Sequence, residues 1–455
     1  MTLAYTRSDL ENWNEKIETL SRAAGLDYYP QEFELVDYNE MIGYEAYTGM
    51  PSRYPHWSFG KSYEKIKTLY RYNLSGLPYE MVINSDPCIA YLIRDNTLLL
   101  QILTMAHVYG HNDFFKNNRL FKEGTDAGRT FESFRSHAAM IRSYINDPGI
   151  GYAKVEEMLN AAHSVKLQIG RTAGEKRKSD AERRRERIEQ YNRRSASRSL
   201  LEPQVPAQPP ELEKIPLEPE DDLLAFIMEH GDLEDWQQTI LGAVREEAAY
   251  FLPQIETKIL NEGWASYWHY TTLNHLDLPP GLHLEFIKRH NDVVRPIPGG
   301  LNPYFLGFEM LRDIAARYGE DKIFEVRALE RDASFIRKYL TRELCEKLHL
   351  FEYARQASDY FVEEIADETG WKKIRDTLAD TTGMGTVPYI RVVEMSRRDK
   401  TLTLEHVYDG RELEAAYMEE TLKYLYDLWR HPVVLYTKHH NINRIVRCED
   451  RHIRY

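Results

Sequence analysis

Two histidines stand four residues apart in Met105–Asn118 (MAHVYGHNDFFKNN). On a helix turning about 100° per residue, His107 and His111 would share a face with Leu103, Phe114 and Asn118. Imidazoles one turn apart can chelate one metal ion, although hydrogen-bonded core or surface histidines show the same spacing. The pattern departs from the H-E-x-x-H of zinc peptidases: Val108 takes the place of the general-base glutamate, so that chemistry lacks its base. A second segment, Thr257–His269 (TKILNEGWASYWH), sets Glu262 and His269 two turns apart among Ile255, Ile259, Ser266 and Leu273. A carboxylate within an apolar stripe needs a partner, because an unpaired buried charge is strongly destabilising. A Glu–His hydrogen bond bracing two helices would satisfy it, and so would metal ligation. Taken together, His107, His111 and Glu262 form a facial set of three donors with open positions, suited to catalytic Zn²⁺ or non-haem Fe²⁺. His269 would then be a fourth ligand, an outer partner or a proton shuttle. A third segment, His290–Gly307 (HNDVVRPIPGGLNPYFLG), offers His290, Arg295, Asn302 and Tyr304 around proline and glycine. Such a loop can aim polar groups into a pocket, with Tyr304 or Arg295 steadying an oxyanion. It also reads as an ordinary helix–loop–helix connection.

These residues need long helices to carry them. Helical patterning covers Ser8–Ala24, Lys61–Tyr72 and Asn96–Asn118, and returns over Asp222–Glu229, Asp235–Tyr250, Pro253–Asn274, Leu282–Asp292, Tyr304–Arg317 and Ala333–Leu348. Pro253 suits a first helical turn. Leu26–Trp57 reads as irregular and aromatic-rich. Towards the end, Pro388–Met395 and Leu402–Tyr408 alternate like strands, a helix follows over Glu412–Trp429, and Val433–Lys438 and Ile445–Cys448 resume the alternation. The expected fold is therefore a predominantly α-helical body, α+β overall, with a small C-terminal α+β domain in β-β-α-β order.

Composition narrows the function classes. The chain has 455 residues with a formal net charge of −13. Arg171–Ser199 holds 11 Lys/Arg against 5 Asp/Glu and almost nothing apolar, and six prolines follow between Pro203 and Pro219. This basic, then proline-rich stretch (169–221) reads as a linker between two parts of a helical core, 1–168 and 222–352, ahead of a C-terminal domain at 353–455. An acidic body and a strip with one aromatic residue, Tyr191, argue against nucleic acid as the partner. No apolar run approaches the roughly 20 residues of a membrane span, and Met1–Lys16 is charged throughout, unlike a secretory signal. Three scattered cysteines, Cys88, Cys345 and Cys448, form no disulfide framework, and the expected address is cytoplasmic.

GMPSRYPHWSFGK, YEMVINSDPCIAYL, HVYGHNDFFKNN, TKILNEGWASYWH, NPYFLGFEMLRDI and GMGTVPYIRVVE resemble, in order, the signature blocks of the stage V sporulation protein R (SpoVR) family. The resemblance implies a cytoplasmic protein, in the mother cell of a spore former, connected with building the peptidoglycan cortex. It supplies no catalytic residues. A chain without a signal or span would have to act on cytoplasmic precursors or on proteins that make the wall. The expectation is a metal-dependent, amidase-like hydrolase using Zn or Fe, with His107, His111 and Glu262 as ligands and His269 and Tyr304 as catalytic groups. The alternative is a non-catalytic scaffold or regulator holding cortex-assembly proteins.

Overall fold

The computed structural model describes residues 5–71, 80–171, 178–196, 212–297, 300–350, 352–356, 359–364 and 367–455. Most of the expected proline-rich spacer, 201–211, lies outside them. The fold is mostly helical with a small C-terminal β/α region. The chain divides into two compact units, each built from two stretches: Met1–Arg142 with Tyr250–Thr386, and Ser143–Ala249 with Val387–Tyr455.

In the first unit, Leu98–Asn117 forms a helix (the histidine helix) whose residues from Leu99 to Phe115 are all buried. The Thr97 side chain starts it by accepting from the Leu100 amide. Asn118 stops it: its side chain caps the following short helix at Leu120 and donates to the carbonyls of Arg327 and Glu330. A helix buried on every side needs neighbours all round. The main one is Lys258–Asn274 (the glutamate helix), which in turn packs on Pro303–Tyr318 (the tyrosine helix).

Glycines set how closely these helices pass. A Cβ on Gly110 would lie 2.7 Å from the Ala265 Cα, and one on Gly263 would lie 2.4 Å from the Gly307 carbonyl carbon. No side chain fits at either crossing, so the backbones themselves are in contact. A buried network pins the first crossing: Asp113 accepts from the Trp264 indole at 2.9 Å, the Asp27 amide at 2.8 Å and Arg327 at 3.2 Å.

Two local expectations need correcting. Pro253 does not open a helix; it lies inside Asp235–Glu256, and the break falls at Thr257. The Thr257 hydroxyl donates to the Pro253 carbonyl, and the Asp332 carboxylate, from a distant helix, accepts from the Ile259 and Leu260 amides at 2.9 Å each. That remote cap fixes where the glutamate helix begins. The region read as irregular contains a strand, Gln31–Val36, which pairs in parallel with Cys88–Ile93. Glu80–Ile83 pairs antiparallel on the other side of Cys88–Ile93, and both of these strands pack against the histidine helix.

In the second unit, the C-terminal sheet has five strands in the spatial order His452–Arg454, Ile442–Glu449, Val433–His439, Leu402–His406, Ile390–Met395. All neighbours are antiparallel except Leu402–His406 with Val433–His439, which the helix Ala415–Trp429 connects. This extends the expected β-β-α-β order by strands at its end. Within the basic strip, Asp180–Ala196 is helical, and Arg183, a largely covered side chain, pairs with buried Glu220.

Candidate metal centre

The histidine and glutamate helices bring His107, His111 and Glu262 to one point. The Glu262 Oε2 lies 3.4 Å from His111 Nε2 and 3.7 Å from His107 Nε2. Glu80, at the start of its strand, adds Oε1 at 3.8 Å from His107 Nε2. The Glu80, His107 and His111 donor atoms all lie within 4.8 Å of one another.

These separations are longer than N–H···O hydrogen bonds, which run about 2.7–3.2 Å. The shortest equals the edge of a coordination tetrahedron, about 3.4 Å for metal–ligand bonds of about 2.1 Å, and the other two are slightly wider. Two of the atoms, His107 Nε2 and Glu262 Oε2, are buried without a hydrogen-bond partner. Orphaned buried polar atoms are costly, and here they face each other across the cluster. Two imidazoles with a carboxylate make a donor set that suits zinc or iron.

Groups behind the cluster orient it. His111 Nδ1 lies 2.9 Å from Asn261 Oδ1, an acceptor, so Nδ1 carries the proton and the Nε2 lone pair points inward. His107 Nδ1 is 2.9 Å from His269 Nδ1, and His269 Nε2 is 2.8 Å from His290 Nδ1. With Nε2 of His107 left as a donor atom for a cation, the protons run one way along this chain: His107 donates to His269, which donates to His290. Tyr304 stacks over His107, with ring centroids 6.1 Å apart and planes at 26°. Lys258 reaches in from the surface and bonds Glu262 Oε1 at 3.0 Å.

The electrostatics follow from burial and these neighbours. Burial opposes the Glu262 charge, but the Lys258 ammonium and the two imidazoles outweigh it and hold the carboxyl well below its usual range. Glu80 moves up, chiefly through burial. Burial depresses His269 well below the ordinary imidazole value, with His107 adding to it, and pushes His290 down to about 4. The negative charge of Glu262, then burial, raises the Tyr304 hydroxyl well above its usual value.

Among the other expected residues, His269 and His290 lie behind His107, and the faces of both ring nitrogens of His269 are taken. Asn302 caps the tyrosine helix through the Tyr304 and Phe305 amides and donates to the Val293 and Arg295 carbonyls, so its amide is spent on the loop. Arg295 is exposed. Sequence reasoning missed Glu80, Asn261 and Lys258. Lys258 was the most legible, since its i,i+4 spacing to Glu262 is the ion-pair spacing of a helix. Glu80 carried the weaker signal of a charge heading the apolar run Met81–Ile83. A second grouping, Glu412, His439 and His440, sits exposed in the other unit, with its carboxylate already bonded to His439 Nδ1 at 2.8 Å and the His440 amide at 2.6 Å.

No helix among the described residues is long and apolar enough to cross a membrane. The family model described as SpoVR like protein matches residues 4–387, and the SpoVR-like C-terminal domain matches residues 388–440. The Escherichia coli (strain K12) protein named Uncharacterized protein YcgB is 33% identical, over 98% of this chain and 96% of its own length. No solved structure matches the chain. On a match that runs almost end to end, the chain belongs to the SpoVR family.

Proposed function

We propose that the chain is a metal-dependent enzyme of the hydrolase or amidase type, with His107, His111 and Glu262 holding one Zn²⁺ or Fe²⁺ and Glu80 beside them. The observation that carries this reading is the pair of orphaned buried atoms, His107 Nε2 and Glu262 Oε2, set near the spacing of a coordination edge. When bound, such a cation polarises a carbonyl or phosphoryl oxygen or activates water.

The chain's own residues supply the rest. Asn261 and His269 hold the two imidazoles in the tautomer that turns Nε2 inward. His269 acts on His107 rather than on a substrate, because its nitrogens face His107 and His290. Glu80 is the candidate acid–base group in place of the glutamate that Val108 displaces, and its upward shift is the direction such a group needs near neutral pH. Tyr304, kept protonated by Glu262, donates to a developing oxyanion. The family's link to the spore cortex sets the proposed cellular role: cytoplasmic chemistry on peptidoglycan precursors or on the proteins that assemble them.

Elemental analysis of the purified full-length chain tests the reading. Near-stoichiometric Zn or Fe is expected, lost in His107→Ala and Glu262→Gln variants that still fold. A metal-free wild type with normal function in cells would leave a non-catalytic scaffold of cortex assembly as the remaining reading.

A further inference from the structure

Lys258 is an exposed lysine on a buried carboxylate, as are Lys338 on Glu330 and Lys347 on Glu309, but its partner alone of the three belongs to the donor cluster. Its side chain is 61% exposed, while its partner Glu262 is only 10% exposed. The lysine thus spans from solvent to a buried carboxylate and ends on Oε1, leaving Oε2 to the imidazoles. Among the described residues no other lysine or arginine pairs with Glu262 or Glu80. The amides at the start of the same helix offer no competing anion site, since Asp332 already takes those of Ile259 and Leu260.

Charge counting gives this arrangement a consequence. The Lys258–Glu262 pair is neutral by itself. A divalent cation adds two positive charges, and Glu80 can cancel one at most. The loaded site therefore carries at least one positive charge in excess, with the lysine ammonium on its solvent side. We propose that Lys258 is the substrate-anchoring group of this centre and that the substrate carries an anionic group, a carboxylate or a phosphate, bound at the cation from its solvent side, within reach of the Lys258 ammonium. This rests on the metal reading above. It makes Lys258 a binding residue whose exposed stem is free to follow the incoming anion.

Cobalt(II) substitution of the full-length chain tests this without any activity assay. Acetate and inorganic phosphate are titrated against the visible cobalt band, with acetamide as the neutral control; whichever anion binds tighter identifies the source. The wild type is expected to respond to at least one anion and not to acetamide. Lys258→Met should bind cobalt at least as tightly, because a competing cation is gone, yet need at least tenfold more anion for the same shift. Lys258→Arg should keep the response. Anion affinity equal in wild type and Lys258→Met overturns this proposal alone. A wild type that takes up no cobalt removes the metal reading and this proposal with it.

Discussion

Replacing Gly110 by alanine tests whether backbone contact between helices builds the centre. The new Cβ would meet the Ala265 Cα at 2.7 Å and the Ala265 Cβ at 3.3 Å. Ordinary carbon contacts need about 3.4 Å or more, so the histidine and glutamate helices must separate by about 0.7 Å. Overpacking of this kind costs about 1–3 kcal/mol. For a unit of this size that lowers the melting temperature by on the order of 2–4 °C per kcal/mol. The same displacement carries His107 and His111 away from Glu262, widening the 3.4 Å and 3.7 Å edges away from tetrahedral spacing. Gly110→Ala should therefore lose both stability and metal affinity. Gly60 is the internal control: it is helical, exposed, and has nothing within 4 Å of a built Cβ. There alanine should stabilise by about 0.5–1 kcal/mol, because glycine is the poorer helix former. Urea unfolding and metal titration of the two variants give the answer. Wild-type stability and metal affinity in Gly110→Ala would refute the close-contact argument.

Two more perturbations follow from the buried polar groups. In the metal-stripped protein, His290 stays neutral down to about 4, mainly through burial, whereas unfolded histidine titrates near 6.5. The unfolded chain therefore takes up the proton first, so this stability is full above about 6.5 and is lost as pH falls through 4, by about 3 kcal/mol. A His290→Gln variant should show a correspondingly flatter urea-midpoint profile between pH 7 and 4, and an unchanged slope would count against the buried neutral imidazole. Asp332→Ala strips the remote cap from the glutamate helix and orphans two buried amides, which should cost about 1–3 kcal/mol per donor. Asp332→Asn, which keeps one acceptor oxygen, should lose less, and equal unfolding midpoints for the two variants would argue against the cap.

The legible part of the site was the part written in helical periodicity. His107 and His111 share a face by spacing alone, and Glu262 stood out because a carboxylate in an apolar stripe demands a partner. Glu80 was not legible, because its strand joins the centre through a sheet whose other edge, Gln31–Val36, lies about 50 residues earlier in the chain. The alternation in that edge strand, Gln-Glu-Phe-Glu-Leu-Val, is polar enough to pass for a loop, and only its parallel partner Cys88–Ile93 makes it a strand. The break at Thr257 was hidden for a similar reason: Pro253 advertised a helix start, whereas the deciding cap, Asp332, comes from far downstream. The C-terminal strands were easier to place, since most are hairpin neighbours and their alternation is local.

The unit that holds the centre is assembled from two stretches of chain with about 100 residues of the other unit between them. The histidine helix, buried on all sides, is therefore translated well before the helix that covers it. At about 5–20 residues per second, roughly 7–30 seconds pass between synthesis of Asn117 and synthesis of Glu262. During that interval the nascent chain presents a sticky surface with no native cover, a natural client for chaperones that bind apolar segments. It also follows that neither stretch, expressed without the other, has the means to bury its half of the core.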